Sequence, residues 1–198
     1  MSDHYYTENP GSEHDFRTVR CSALGVEAEF LTDAGVFSRD GLDTGTRALL
    51  EALPEPAGRV LDLGCGWGAV GVLMGKRWPK AEIVMTDINR RAAELARRNL
   101  AQNGVTAQVF DGDGFENVPG DFDLIATNPP IRAGKAAIYA LFADAKARLR
   151  PGGELYIVIR KQQGAPSALK YLREIFSEAE VVSRTAGFWV IRAWDQIQ

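Results

Sequence analysis

The sequence predicts an α/β fold: a mostly parallel, seven-stranded sheet with an antiparallel last strand, helices on both faces and a small N-terminal β-hairpin. Three observations carry that expectation. From Arg59 onward, short apolar runs alternate with amphipathic stretches. Those runs are continuously apolar, as strands covered on both faces are, rather than apolar at every second position. The first of them also passes through a glycine-rich turn directly into a helix signal. With 198 residues, 45% of them hydrophobic and 9% aromatic, the chain can bury a full core. We expect one domain over 1–198, with 1–42 forming the hairpin and a pocket-covering segment and 43–198 forming the layered core.

Taken in order, RTVRCSA and VEAEFLT alternate in polarity around Leu24-Gly25, which reads as a hairpin. TDAGVFSRDGLDTGT is too polar and glycine-rich to be a core element. It leads into the helix signal TRALLEAL, with Asp43 or Thr44 as N-cap and Pro54 and Pro56 as the stop. RVLDLG is then a buried strand and GAVGVLMGKRW a helix that Pro79 ends. AEIVMTDIN is the next strand, and Asn89 caps the helix RRAAELARRNLAQN. Ala92, Leu95, Ala96 and Leu100 share one face of that helix. Arg90, Arg91, Arg97 and Arg98 read as its solvated side, with Glu94 in reach of Arg90 and Arg98. TAQVFDGD and FDLIATN are strands, and Ile138, Leu141, Phe142, Ala145 and Leu149 stripe a following helix. Pro151-Gly152-Gly153 reads as a turn into the strand ELYIVIR. The helix SALKYLREIF and an antiparallel pair, EAEVVSR and FWVIRAW, close the chain.

Composition narrows the chemistry. Cys21 and Cys65 cannot build a disulfide framework and match no zinc spacing. The two histidines, His4 and His14, lie in the polar N-terminal stretch, so no metal site is expected. No Ser/His/Asp or Cys/His set is available for nucleophilic catalysis. No run approaches a membrane span, and the acidic N-terminus lacks a secretory pattern, so a soluble cytoplasmic protein is expected. The net charge is −3, yet residues 59–198 carry 19 basic against 15 acidic side chains. That balance permits a polyanionic partner.

VLDLGCGWGAVG is the most informative string. Gly64, Gly66 and Gly68 let a ligand approach the main chain closely between a strand and a helix N-terminus. Asp87, at the tip of the next strand, stands where such sheets accept hydrogen bonds from ribose hydroxyls. Gly66 to Gly71 also fits the dinucleotide pattern G-x-G-x-x-G, which leaves a nicotinamide oxidoreductase open. That reading offers no role for Asn128-Pro129-Pro130, which ends the fourth strand of the core. There the Asn128 side-chain oxygen and the Pro129 carbonyl are available as hydrogen-bond acceptors. The prolines fix φ and add no competing donor.

D-x-G-x-G-x-G from Asp62 resembles motif I of class I S-adenosyl-L-methionine (SAM) methyltransferases, and Asn128-Pro129-Pro130-Ile131 resembles the N/D-P-P-x motif of the amino-methyltransferases. HYYTENP, GVFSRDGLDTGT, DLGCGWGAVG, TNPPIRAGK and RPGGELYIV together resemble the RsmC-like small-subunit ribosomal RNA methyltransferases, from about Tyr5 to the last strand. The resemblance implies a Rossmann-like fold and methyl transfer from SAM to guanine N2, with Asn128, Pro129, Pro130 and Ile131 as catalytic residues. It implies a cofactor site from Phe37, Thr46, Asp62, Gly64, Cys65, Gly66, Gly68, Asp87, Ile88, Asp113, Gly114 and Asn128. Asp43 and Gly45 join the covering segment; Cys65 and Trp67 also read as loop packing. Arg39, Arg132 and Lys135 are candidates for RNA phosphate, as are Arg160 and Lys161. Ribosomal RNA or the small ribosomal subunit is the implied partner. Longer family members carry an additional N-terminal domain, so this chain is expected to be of the short type. Ile131 stands where the family often has a base-stacking Tyr or Phe, and Phe37 or Phe115 could supply that surface. Two alternatives remain: methylation of a protein side-chain amide, and a non-catalytic RNA-binding or assembly module.

Overall fold

The computed structural model describes residues 8–196. His4 and the first residues of HYYTENP therefore lie outside the described residues. Strands β1 (Arg17–Ala23) and β2 (Val26–Thr32) form a separate antiparallel hairpin. Its tip is Leu24-Gly25, with φ of 57° and 74°, the pair of left-handed residues that a type I′ turn demands. Helix α1 (Thr44–Ala52) follows, and Asp43 caps it by accepting from the Gly45 and Thr46 amides.

The core alternates as expected: β3 (Arg59–Leu63), α2 (Ala69–Arg77), β4 (Glu82–Asp87), α3 (Arg90–Gln102), β5 (Gln108–Asp111), β6 (Phe122–Thr127), α4 (Lys135–Ala147), β7 (Leu149–Arg160), α5 (Ala165–Ile175), β8 (Glu178–Thr185) and β9 (Phe188–Trp194). The seven strands lie in the order β5-β4-β3-β6-β7-β9-β8. The first five of these in the sheet are parallel, while β9 runs antiparallel to both β7 and β8. One face buries Val60, Met85, Leu73 and Ala96 beneath α1, α2, α3 and the hairpin. The other buries Leu61, Ile125, Phe142 and Leu172 beneath α4 and α5.

The strand order reverses between β3 and β6, which pair with Leu63 opposite Thr127. A crevice opens outside the carboxyl ends of strands at such a reversal, because successive helices diverge to opposite faces. The glycine-rich turn after β3 and Asn128 after β6 are thus neighbours across that crevice, although 63 residues of chain lie between Leu63 and Thr127 and their contact is set only by sheet order.

Three local expectations need correction. Pro151-Gly152-Gly153 does not precede a strand but lies within β7, where the four residues 150–153 bulge opposite Asp123 of β6: Leu149 pairs with Phe122 and Glu154 with Leu124. The turn before β9 has two residues, Ala186 and Gly187, both at positive φ, because Thr185 already pairs with Phe188. The arginine face of α3 is not simply solvated. Arg91 points inward and donates to the Pro10, Ser12 and Ala34 carbonyls, pinning the N-terminal segment. Arg97 pairs with Asp111 at 2.9 Å, Arg98 with Glu94 at 3.1 Å, and Arg90 with Glu8 rather than Glu94.

Candidate active site

A cavity of about 500 Å³ occupies the crevice. The main chain builds its floor. The Gly64 and Cys65 amides both donate to the Thr86 carbonyl at 2.9 Å, tying the glycine turn to the end of β4. Gly64 and Gly66 have φ of 76° and 57°, and a Cβ on either would meet nothing within 4 Å, so both backbones border open space. Gly68 behaves differently. Its Cβ would lie 3.1 Å from Ala96 and the Met85 methyl, so Gly68 lets α2 approach α3 and does not line the cavity.

Two carboxylates sit behind that turn. Asp87 accepts from the Gly66 amide at 2.7 Å and the Asn89 amide at 2.8 Å, holding the turn and the start of α3 together. Asp62, 3% exposed, accepts from the Gly71 amide at 3.0 Å. Burial pushes Asp87 up to about 6, against the pull of those two amides. Burial, joined by the Asp87 charge, pushes Asp62 up to about 7. Burial also raises the Cys65 thiol well above its usual range, with Asp87 and Asp62 adding to it, so this cysteine is a neutral packing group.

Asp113 and Gly114, beyond β5, line the same cavity, as does Ile88 beyond β4. Asp111 does not; it is engaged by Arg97, whose hydrogen bond and charge hold its carboxyl below the usual range. The Thr127 hydroxyl ends β6 with no hydrogen-bond partner among the described residues, although Thr127 is buried and lines the cavity. A buried hydroxyl left unpaired is unusual enough to mark a place where a polar ligand atom fits.

Asn128, Pro129, Pro130, Ile131 and Arg132 continue the wall past β6. The Asn128 side-chain NH₂ donates to the Thr46 hydroxyl oxygen at 3.0 Å, and the Thr46 hydroxyl lies 2.5 Å from the Asp43 carboxylate. Residues 33–43 form the lid of the cavity. The buried Trp67 indole donates to the Phe37 carbonyl at 2.9 Å, and the Asn89 side chain donates to the Gly35 carbonyl at 2.9 Å. Phe37 itself is 39% exposed at the cavity mouth.

The remaining sequence candidates divide. Arg160 and Arg132 reach the cavity wall, while Lys161, Arg39 and Lys135 do not. Arg39 is turned to Asp15, and the Lys135 ammonium lies 5.1 Å from the Tyr139 ring centre. Phe115 is also elsewhere, beneath the Arg148 guanidinium. In its place the mouth holds Phe188, at the start of β9, with the Arg160 guanidinium 5.0 Å from the ring centre. Phe188 and Gln163 carry no local motif and were not expected here. Their only sequence signal is the position of each at the end of an element on this sheet edge.

Known proteins give the arrangement a family. A Bacillus subtilis protein, the uncharacterized protein YbxB, is 41% identical over 198 residues, 98% of each chain. The ribosomal RNA small subunit methyltransferase C of Haemophilus influenzae is 43% identical over 164 residues, 79% of this chain and 48% of that one. The chain thus spans about half the length of the methyltransferase C relatives it matches. The T. thermophilus 16S rRNA N2 G1207 methyltransferase (RsmC), solved in complex with AdoMet and guanosine, superposes with a TM-score of 0.82 at 30% identity. That match covers 94% of this chain and 52% of that one. The family model described as the methyltransferase small domain matches residues 27–192, and the chain belongs to that family.

Proposed function

We propose that this chain transfers a methyl group from SAM to an exocyclic amine, guanine N2 of small-subunit ribosomal RNA. One observation carries the reading: Asn128-Pro129-Pro130 faces the same cavity as the open glycine turn, Asp87 and Asp113. The donor set fits SAM. Carboxylates at the ends of β4 and β5 suit ribose hydroxyls and an adenine amine. The bare backbone at Gly64 and Gly66 suits an amino-acid moiety, and the unpaired Thr127 hydroxyl remains for a further polar atom. When bound, SAM supplies an electrophilic methyl on a sulfonium.

The chain's own residues prepare the acceptor. The Asn128 side-chain oxygen and the Pro129 carbonyl each accept a hydrogen bond from the amine, drawing its lone pair out of conjugation with the base. Neither group needs to become a strong base, because the nitrogen sheds its proton to solvent as positive charge develops. The prolines keep both acceptors in place before the substrate arrives. Phe37 and Phe188 flank the mouth where Ile131 offers no ring, and Arg132 and Arg160 place positive charge beside it for phosphate. The T. thermophilus relative with AdoMet and guanosine supports both ligands for this site.

Tritium transfer from labelled SAM, offered small ribosomal subunits, naked ribosomal RNA and release factors in parallel, tests the proposal. Label in guanine N2 is the expected outcome. Label confined to protein would defeat it.

A further inference from the structure

Building on that reading, we infer that Thr46 is a positioning residue whose hydroxyl, polarised by Asp43, locks the Asn128 amide with its oxygen toward the reacting amine. Asp43 accepts from the Gly45 amide at 2.9 Å and the Thr46 amide at 3.1 Å, as an N-cap does, and it has only lone pairs to offer. The Thr46 hydroxyl has a single proton, and it lies 2.5 Å from the second Asp43 oxygen. That proton is therefore committed to Asp43. What remains of the Thr46 oxygen is acceptor only, and Asn128 stands 3.0 Å away. An amide facing an acceptor must present its NH₂. Its carbonyl oxygen, fixed in the same plane about 120° away, is then turned from Thr46 toward the cavity that Asn128 lines.

The consequence is specific to this reaction. A side-chain amide that can flip offers the acceptor amine an NH₂ part of the time, and two donors then face each other. Asn128 meets no other side-chain partner that would prevent the flip among the described residues. The relay thus turns an ambiguous group into a committed acceptor before substrate binds, which is where preorganisation lowers a barrier. It also gives the L-D-x-G-T segment a task distinct from holding the methyl donor. Asp43 and Thr46 are three residues apart on the first turn of α1, the spacing that lets a cap side chain meet the residue it caps.

The test compares wild type with Thr46→Val, Thr46→Ser and Asp43→Asn. Wild type is first assayed on small subunits and naked ribosomal RNA; if neither takes label while S-adenosylhomocysteine still binds, the functional reading fails. On whichever substrate is labelled, Thr46→Val should lower kcat at least about tenfold, with KM for RNA and calorimetric affinity for S-adenosylhomocysteine nearly unchanged. Thr46→Ser should restore the rate. Asp43→Asn, which keeps a competent cap but frees the Thr46 proton to meet the amide oxygen, should lose rate without losing stability. A second readout needs no activity: the Asn128 side-chain NH₂ signals, identified by their absence in Asn128→Ala, should exchange slowly in wild type and Thr46→Ser and rapidly in Thr46→Val. Wild-type turnover in a folded Thr46→Val, or a Thr46→Ser that binds S-adenosylhomocysteine but stays slow, would overturn the relay.

Discussion

Replacing Asp62 by Asn should stabilise the ligand-free protein increasingly as pH rises from 5 to 8.5. Asp62 is 3% exposed, has one hydrogen bond among the described residues, from the Gly71 amide at 3.0 Å, and shares its surroundings with Asp87. Its carboxyl is pushed up to about 7 in the fold, against about 3.9 in an unfolded chain. Between those values the folded state holds a proton that the unfolded state has released. The stabilisation is therefore complete below about pH 3.9 and is lost as pH rises through 7. From pH 5 to pH 8.5 that loss integrates to about 3 kcal/mol. An Asn side chain keeps an oxygen for Gly71 and has no charge to bury. Asp87, pushed up to about 6, titrates in both proteins and largely cancels in the difference. Urea unfolding of wild type and Asp62→Asn at several pH values measures the gap directly. It should widen by about 3 kcal/mol from pH 5 to pH 8.5. Parallel curves would refute the claim that Asp62 is held at an electrostatic cost.

Asn128→Ala should leave calorimetric affinity for S-adenosylhomocysteine intact and lower kcat by about 100-fold, since it removes an acceptor of the reacting amine; equal loss of binding and rate would misplace its role. Phe188→Ala should raise KM for RNA roughly tenfold with donor affinity unchanged, as the loss of a stacking surface does. Gly45→Ala should act in the same direction, because its Cβ would lie 2.8 Å from the Phe188 ring and displace it. Asn99→Ala should destabilise the fold by about 3 kcal/mol in urea titration. The fully buried Asn99 amide serves the Leu31 amide, the Leu31 carbonyl and the Trp67 carbonyl, and a cost below about 1 kcal/mol would mean that water replaces it.

What the sequence discloses is whatever a single element decides for itself. The continuous apolar runs around Val60, Val84, Ile125 and Ile157 announce strands buried on both faces, and those positions are buried. Asn89 announces a cap because the helix start beside it needs one, and its side chain accepts from Ala92. The glycine turn and Asn128 were legible because each follows a strand at a carboxyl end. Phe188 was not. It reaches the mouth only because β9 pairs antiparallel with β7, placing it opposite Arg160, and no periodicity encodes that pairing. Arg91 read as solvated, and Arg39 as free to meet phosphate, for a related reason. A helix or loop arginine looks solvated until a distant segment, here residues 8–16, folds across it. Pro151-Gly152-Gly153 has turn chemistry, and the chain does bend there, but as a bulge inside a strand whose partner continues on both sides.

The lid segment shows why the two sides of this cavity are not independent. Its carbonyls are held by Trp67, from the glycine turn, and by Asn89, at the start of α3; both belong to the side proposed for the methyl donor. Its far end becomes the cap of α1, where Thr46 holds Asn128 and Gly45 lies under Phe188, on the side proposed for the acceptor. A donor that orders the glycine turn therefore also orders the Trp67 indole, the Phe37 carbonyl and, through the eight residues between Phe37 and Thr46, the hydroxyl that faces Asn128. Coupling of this kind needs no large movement. It requires only that the lid be better ordered with the donor in place, so that ordering it again for the acceptor costs less. The physical mark of that coupling is slower hydrogen exchange at residues 34–43 on adding S-adenosylhomocysteine alone, and a Trp67→Phe variant, which keeps the ring but loses the indole N–H, should weaken it.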